Sequence, residues 1–160
     1  MVMWIDLSTS NNLHKSSTVN QDRGMKILSG DRLITLYSLF FNKFINSLSP
    51  SLQKEFRKQI RIGVVTTAYS NGGFTKFIKE NLGLELAITK TGVKHLHPVA
   101  KTFDIGIYFE SNGHGTIVYS QDLIKTKLTK MDSLCASAKD AQMLELLQVY
   151  LSMFNIVNIN

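Results

Sequence analysis

Between residues 31 and 48 apolar side chains recur at spacings of three and four, at Leu33, Leu36, Tyr37, Phe40, Phe44 and Leu48. That period predicts an amphipathic helix, with Asp31 in the first turn, where a carboxylate favours the helix dipole. Pro50 breaks the pattern, and the charged stretch to Arg61 predicts a shorter helix or turn. The run IGVVTTA (62–68) is short, β-branched and uncharged, as a buried strand is. Asn71-Gly72-Gly73 follows, then Phe74, Phe77, Ile78 and Leu82 at helical spacing, then a second strand at 84–89. Strand, glycine turn, helix and strand in that order predict a βαβ unit with parallel strands. The polar stretch 89–97 leads into a further helix through Lys101. Residues 104–109 and 116–119 flank a glycine-rich turn at 110–115 and predict a hairpin. A last amphipathic helix is expected over 136–157, carrying Met143, Leu146, Leu147, Tyr150, Leu151 and Phe154. At the other end, 2–5 is a short apolar segment of strand character, and 8–30 is a polar linker without periodicity. The expected fold class is α/β, a small mixed β-sheet flanked by helices.

The chain has 160 residues, 18 Lys and Arg against 12 Asp and Glu, and 44% apolar residues. These are the proportions of one soluble globular domain large enough to bury a core. They exclude disorder, collagen and low-complexity assemblies, and the length excludes a several-domain enzyme. The net charge of +6 raises nucleic acid as a partner. The basic residues are scattered, however, and their densest stretch, 54–61, reads as a solvated helix face. No nucleic-acid motif with interleaved aromatic residues occurs, so no nucleic acid is expected; a phosphate-bearing ligand would also welcome the positive field. Cys135 is the single cysteine and cannot make an intramolecular disulfide, so nothing suggests an oxidising compartment. The N-terminal MVMWID lacks the basic region and cleavage site of a signal peptide, and no run approaches the roughly 18 apolar residues that span a bilayer. The expectation is a cytoplasmic protein with no membrane partner.

Two loops carry chemistry, TKTGVKHLH (89–97) and ESNGHG (110–115). Each follows a predicted strand, and open α/β sheets bind ligands at the carboxyl ends of their strands. The second loop sets a carboxylate, an amide and an imidazole between glycines, a combination suited to vicinal sugar hydroxyls. The alternative is a plain hairpin turn that uses Asn-Gly for its backbone geometry. His95, His97 and His114 raise a metal site, but His95 and His97 are two apart and diverge on a helix, and no cysteine or paired carboxylate completes a ligand set. No metal ligands are therefore assigned. Neither phosphate-loop glycine motif is present, and nothing marks Cys135 as a nucleophile.

In their order, GDRLITL (30–36), IGVVTTAYSNG (62–72), TKTGVKHLH (89–97) and FDIGIYFESNGHG (103–115) resemble the third domain of the phosphoacetylglucosamine mutases, a family of the α-D-phosphohexomutase superfamily. The likeness is close over about 30–120 and looser in the flanks. It implies an enzyme of four domains. The first carries a phosphoserine, the second an Asp-rich magnesium loop, the third recognises the sugar and the fourth binds the sugar's phosphate. The reaction interconverts N-acetylglucosamine 6-phosphate and 1-phosphate, supplying UDP-N-acetylglucosamine, and the sugar reorients between two half-reactions. By the same resemblance Glu110 and Asn112 hold ring hydroxyls, and Thr91, Gly92 and Val93 form the second sugar loop. His114 assists proton transfer. Lys94 and His95 match the pattern without a definite role, and Ser111 stands where Ala is usual.

The phosphoserine motif, the magnesium loop and the phosphate loop have no counterpart in these residues. The chain is thus expected to be a partial mutase, inactive alone, that depends on the missing domains of the full enzyme. The alternatives are a non-catalytic sugar-phosphate-binding or regulatory module and, less in keeping with the motifs, a basic nucleic-acid binder. The expected organisation is a strand remnant and linker at 1–29, the sugar-recognition domain at 30–121, and a helical segment at 122–160 leading toward a missing phosphate-binding domain. The face Met143, Leu147, Leu151 and Phe154 is expected to have packed on that absent part.

Overall fold

The structure, a computed structural model, describes residues 28–135 and 137–155. The strand expected at 2–5 and the linker as far as residue 27 lie outside the described residues, as do Ala136, residues 156–160 and the side chain of Phe154. Among the described residues four strands, β1 (Ile62–Thr67), β2 (Glu85–Thr89), β3 (Ile105–Phe109) and β4 (Gly115–Tyr119), form one sheet in the order β2-β1-β3-β4. β1 runs parallel to both β2 and β3, and β4 returns antiparallel to β3. The mixed α/β sheet and its parallel unit match the reading of the sequence.

Helices cover both faces. On one lie α1 (Gly30–Ser47), α2 (Pro50–Gln59), α3 (Gly72–Lys76) with its π-helical continuation Phe77–Asn81, the π-helical turn Leu123–Leu128, α5 (Thr129–Ser133) and α6 (Ala138–Asn155). Their apolar residues meet Ile62, Val64, Ile105, Ile107 and Ile117 of the sheet in the larger core. Among the described residues α4 (Val93–Ala100) alone covers the other face, where Leu96 and Ala100 meet Val65, Tyr108 and Val118. α2 opens with Pro50, whose missing N–H costs nothing in a first turn. It buries Leu52 and Phe56 and leaves Lys54, Arg57 and Lys58 exposed, so the charged stretch is a solvated helix face.

Two apolar stripes differ from expectation. α1 buries Leu33, Ile34, Phe41, Phe44 and Ile45, while Leu36 and Phe40 are exposed. In α6 Leu147 and Leu151 are buried with Leu144 in this domain's own core, so they do not await an absent partner. Leu146, Val149 and Met153 are the exposed ones. Both helices are apolar on more than one side, so periodicity alone could not choose the buried stripe. The described part of 122–160 therefore packs into the same core as the sheet.

Two buried carboxylates join these elements. Asp104, just before β3, takes the Arg61 backbone N–H at 2.9 Å and the Lys127 ammonium at 2.7 Å, fixing the 123–128 turn to the sheet. Asp140 lies on the buried stripe of α6 and accepts the Ser49 N–H at 2.9 Å through Oδ1, capping α2 from another helix. Hydrogen bonds from Ser49 hold the Asp140 carboxyl below its ordinary value against the opposing effect of burial. A carboxyl with a lowered folded value stabilises the fold above its unfolded value and loses that contribution as pH falls toward the folded one. Asp140→Ala should therefore cost about 1 kcal/mol at pH 7. In urea denaturation the gap from the parent chain should narrow below about pH 4; a gap independent of pH would show that the charge plays no part.

Candidate functional site

Because β1 is parallel to both its neighbours, the carboxyl ends of β1, β2 and β3 open on one edge of the sheet. Thr67 is level with Thr89, and the β1–β3 register places Val65 opposite Tyr108, so the loops leave the sheet at one height. The two loops singled out in the sequence follow β2 and β3 and share this edge. Strands in a sheet lie about 4.8 Å apart, so two spacings, about 10 Å, separate the roots of these loops. The loop that follows β1 rises between them.

The 110–115 turn is tightly bonded within itself. Glu110 N–H donates to the His114 carbonyl at 2.7 Å, Gly113 N–H to the Glu110 carbonyl at 2.8 Å, and His114 N–H to Asn112 Oδ1 at 2.8 Å. Gly113 sits at φ +83°, a left-handed value that favours glycine. Asn-Gly thus serves the hairpin geometry, as the plain-turn alternative required. Its bonds also fix what remains for a ligand. With Asn112 Oδ1 taken by the backbone, the amide NH2 faces outward as a donor. The Glu110 carboxylate, half-buried, has no hydrogen-bond or ion-pair partner among the described residues. The His114 ring is exposed and equally unpaired.

The 89–93 loop ends in the start of α4. Gly92 caps the helix, and its carbonyl accepts the N–H groups of His95 and Leu96 at 2.8 and 3.1 Å. The N–H groups of Val93 and Lys94, first in the helix, have no intrahelical acceptor. Thr91 and Lys94 are exposed, whereas Gly92, Val93 and His95 are half-buried. His97 belongs elsewhere: its Nδ1 lies 2.9 Å from the Tyr108 hydroxyl under α4. Burial first and the Lys101 charge second hold its imidazole below the ordinary value. Among the described residues no group of three or more His, Cys, Asp or Glu is placed to hold a metal ion.

Sequence reasoning gave Gly30 and residues 68–71 no role at the candidate site, and Asp31 only its place in the first turn of α1. Gly30 N–H reaches the Ser111 carbonyl at 3.4 Å, and a Cβ on residue 30 would stand 1.9 Å from the Glu110 carbonyl oxygen. Next in α1, Asp31 Oδ1 accepts from Ser70 Oγ at 3.4 Å, and Ser70 Oγ is also hydrogen-bonded to Thr66 Oγ1. One helical turn thereby ties the loop after β1 to the loop after β3. The available signal was Asn71-Gly72-Gly73 directly after a buried strand; its importance depends on strand order, which local sequence does not state.

The description "Phosphoacetylglucosamine mutase AMG1, domain III" belongs to a family model that matches residues 29–158. The phosphoacetylglucosamine mutase of Arabidopsis thaliana is 46% identical over 115 residues, which is 72% of this chain and 20% of that protein. The Homo sapiens enzyme of the same name is 40% identical over 125 residues, 78% of this chain and 22% of that protein. The chain spans about a fifth of the length of these curated relatives. Among solved structures, N-acetylglucosamine-phosphate mutase of the α-D-phosphohexomutase superfamily in its apo form has a TM-score of 0.69 at 39% identity, covering 82% of this chain and 27% of that one. Aspergillus fumigatus N-acetylphosphoglucosamine mutase, in complex with GlcNAc-6P and magnesium, has a TM-score of 0.67 at 39% identity, covering 80% and 24%.

Gly30→Ala tests the tie between α1 and the turn. Forcing a methyl group against the Glu110 carbonyl should cost about 1–3 kcal/mol in chemical denaturation and shift the amide resonances of residues 111–114. Parent-like stability with unmoved resonances would show that the start of α1 does not hold the loop.

Proposed function

The chain belongs to the phosphoacetylglucosamine mutase family, and we propose that it supplies the sugar-recognition part of an enzyme interconverting N-acetylglucosamine 6-phosphate and 1-phosphate. One observation carries this reading: the unpaired Glu110 carboxylate and the open helix start at Val93 share one sheet edge. In this proposal Glu110 accepts hydrogen bonds from ring hydroxyls and the Asn112 amide donates to one. Thr91, Gly92 and Val93 line the opposite side, where the Val93 and Lys94 N–H groups offer donors to sugar oxygens. His114, exposed beside Glu110, assists proton transfer to or from a reacting hydroxyl. Lys94, exposed in the first turn of α4, adds positive charge where a phosphorylated sugar arrives, and His95 lies half-buried beside it. Phosphoryl transfer draws its rate from positioning and charge stabilisation, and this edge contributes the positioning.

The magnesium of the Aspergillus complex has no fitting ligand group among the described residues here, so no step is routed through a metal on this chain. Phosphoryl donor, metal and phosphate clamp belong to other parts of a complete mutase, and the chain alone should not turn over. The reaction would feed UDP-N-acetylglucosamine synthesis from a cytoplasmic pool of sugar phosphates. Among the described residues no helix is long and apolar enough to cross a membrane. Nucleic acid has no place in this reading, since the basic residues of α2, Lys54, Arg57 and Lys58, read as a solvated helix face.

A chimera tests the assignment. Residues 29–158 would replace the matching part of the Candida albicans phosphoacetylglucosamine mutase, which is 43% identical over 106 residues. Turnover in the chimera is expected, and Glu110→Ala should lower kcat/KM about 10- to 100-fold, the loss of one charge-assisted hydrogen bond. Unchanged kcat/KM would remove Glu110 from the sugar site. A folded chimera without turnover would favour the second reading, a sugar-phosphate-binding module.

A further inference from the structure

Tyr69 is 88% exposed, the most exposed of the large apolar side chains among the described residues. It does not lie on a loose tail. Ser70 N–H bonds back to the Thr67 carbonyl at 3.1 Å, Ser70 Oγ is bonded to Thr66 and Asp31, and Asn71 Oδ1 takes the Gly73 N–H at 2.7 Å to open α3. The residues on each side of Tyr69 are thus fixed while its own ring touches little of the domain. Because the strand order is β2-β1-β3, this tyrosine rises from the central strand, between the 89–93 and 110–115 loops. A ligand that touched both outer loops would have to pass over it.

We propose that Tyr69 is a sugar-binding residue, its ring presenting an apolar platform for one face of the pyranose while the flanking loops read the hydroxyls. This rests on the sugar-phosphate reading of the same edge and adds to it a ring-face contact. A pyranose with equatorial hydroxyls exposes C–H groups on its faces, and an aromatic ring offers those hydrogens a negatively polarised surface. Burying both surfaces on contact removes apolar area from water. The outer loops supply mainly polar groups, a carboxylate, an amide, an imidazole and backbone N–H groups, and their one aliphatic side chain, Val93, packs against the smaller core under α4. A site confined to these would leave the sugar's apolar faces uncovered, and Tyr69 is the side chain placed to cover one.

The test titrates the isotope-labelled 160-residue chain with N-acetylglucosamine 6-phosphate and, separately, with acyclic glucitol 6-phosphate, following amide shifts. The parent chain should prefer the cyclic ligand. Tyr69→Ala should weaken N-acetylglucosamine 6-phosphate about three- to tenfold and leave glucitol 6-phosphate unchanged, while Tyr69→Phe and Tyr69→Trp should retain the cyclic ligand's affinity. If Glu110→Ala weakens binding and Tyr69→Ala does not, the platform is overturned and the sugar site stands. Equal loss in Tyr69→Phe and Tyr69→Ala overturns the ring-face contact in favour of the hydroxyl. Absence of shifts at all three loops in the parent chain overturns platform and sugar site together.

Discussion

A side chain of one carbon at residue 30 would stand 1.9 Å from the Glu110 carbonyl oxygen, so α1 can begin where it does only with glycine there. The candidate edge depends on that approach. Through it the first turn of α1 lies against the 110–115 hairpin, and from it Asp31 reaches Ser70 in the loop after the central strand. α1 is itself anchored by Ile34, Phe41 and Ile45 in the larger core. The position of the surface loops is therefore set by the same packing that holds the domain together. Loops held in this way keep their polar groups in place before a ligand arrives, which lowers the ordering cost of binding.

Much of the architecture was legible because each element carries its own local signal. The uncharged β-branched run at 62–68, the glycine turn after it and the next helical spacing made the parallel unit readable. Asn112-Gly113 between two short apolar runs made the hairpin readable. The failures have physical causes as well. Leu36, Phe40, Leu146 and Val149 sit on helices apolar on more than one side, so their exposure depends on neighbours that periodicity does not encode. Asp140 among buried leucines breaks the usual rule for charges, and its reason, the Ser49 N–H, lies in a different helix. At the candidate site, both loops could be singled out from residue types, and the strand order brings them to one edge. The bracket of Gly30 and Asp31 could not, because it joins residues far apart in the chain. Nor could the centrality of Tyr69, which follows from strand order.

The two faces of the sheet divide the work. The larger core binds α1, α2, α3, α5 and α6 into one body, and the Asp104–Lys127 pair secures the segment that leads toward α6. On the opposite face α4 is the one helix among the described residues, and its start joins those of α1 and α3 at the candidate edge. His97 shows the economy of that arrangement: on the same helix as Val93 and Lys94, it turns inward to Tyr108 and steadies α4 against β3. A histidine close in sequence to a candidate loop is in this case part of the scaffold.

The inward commitment of Asn112 Oδ1 gives the edge a polarity. One wall, at Glu110, can only accept hydrogen bonds while its carboxyl is ionised; the amide of Asn112 and the helix start at Val93 and Lys94 can only donate. A hydroxyl group can do either, and swings about its C–O bond at little cost. An edge of this kind distinguishes hydroxyls from carbonyls or ammonium groups without distinguishing one ring carbon from its neighbour. A sugar turned end for end would offer it a different set of hydroxyls and satisfy the same grammar of donors and acceptors.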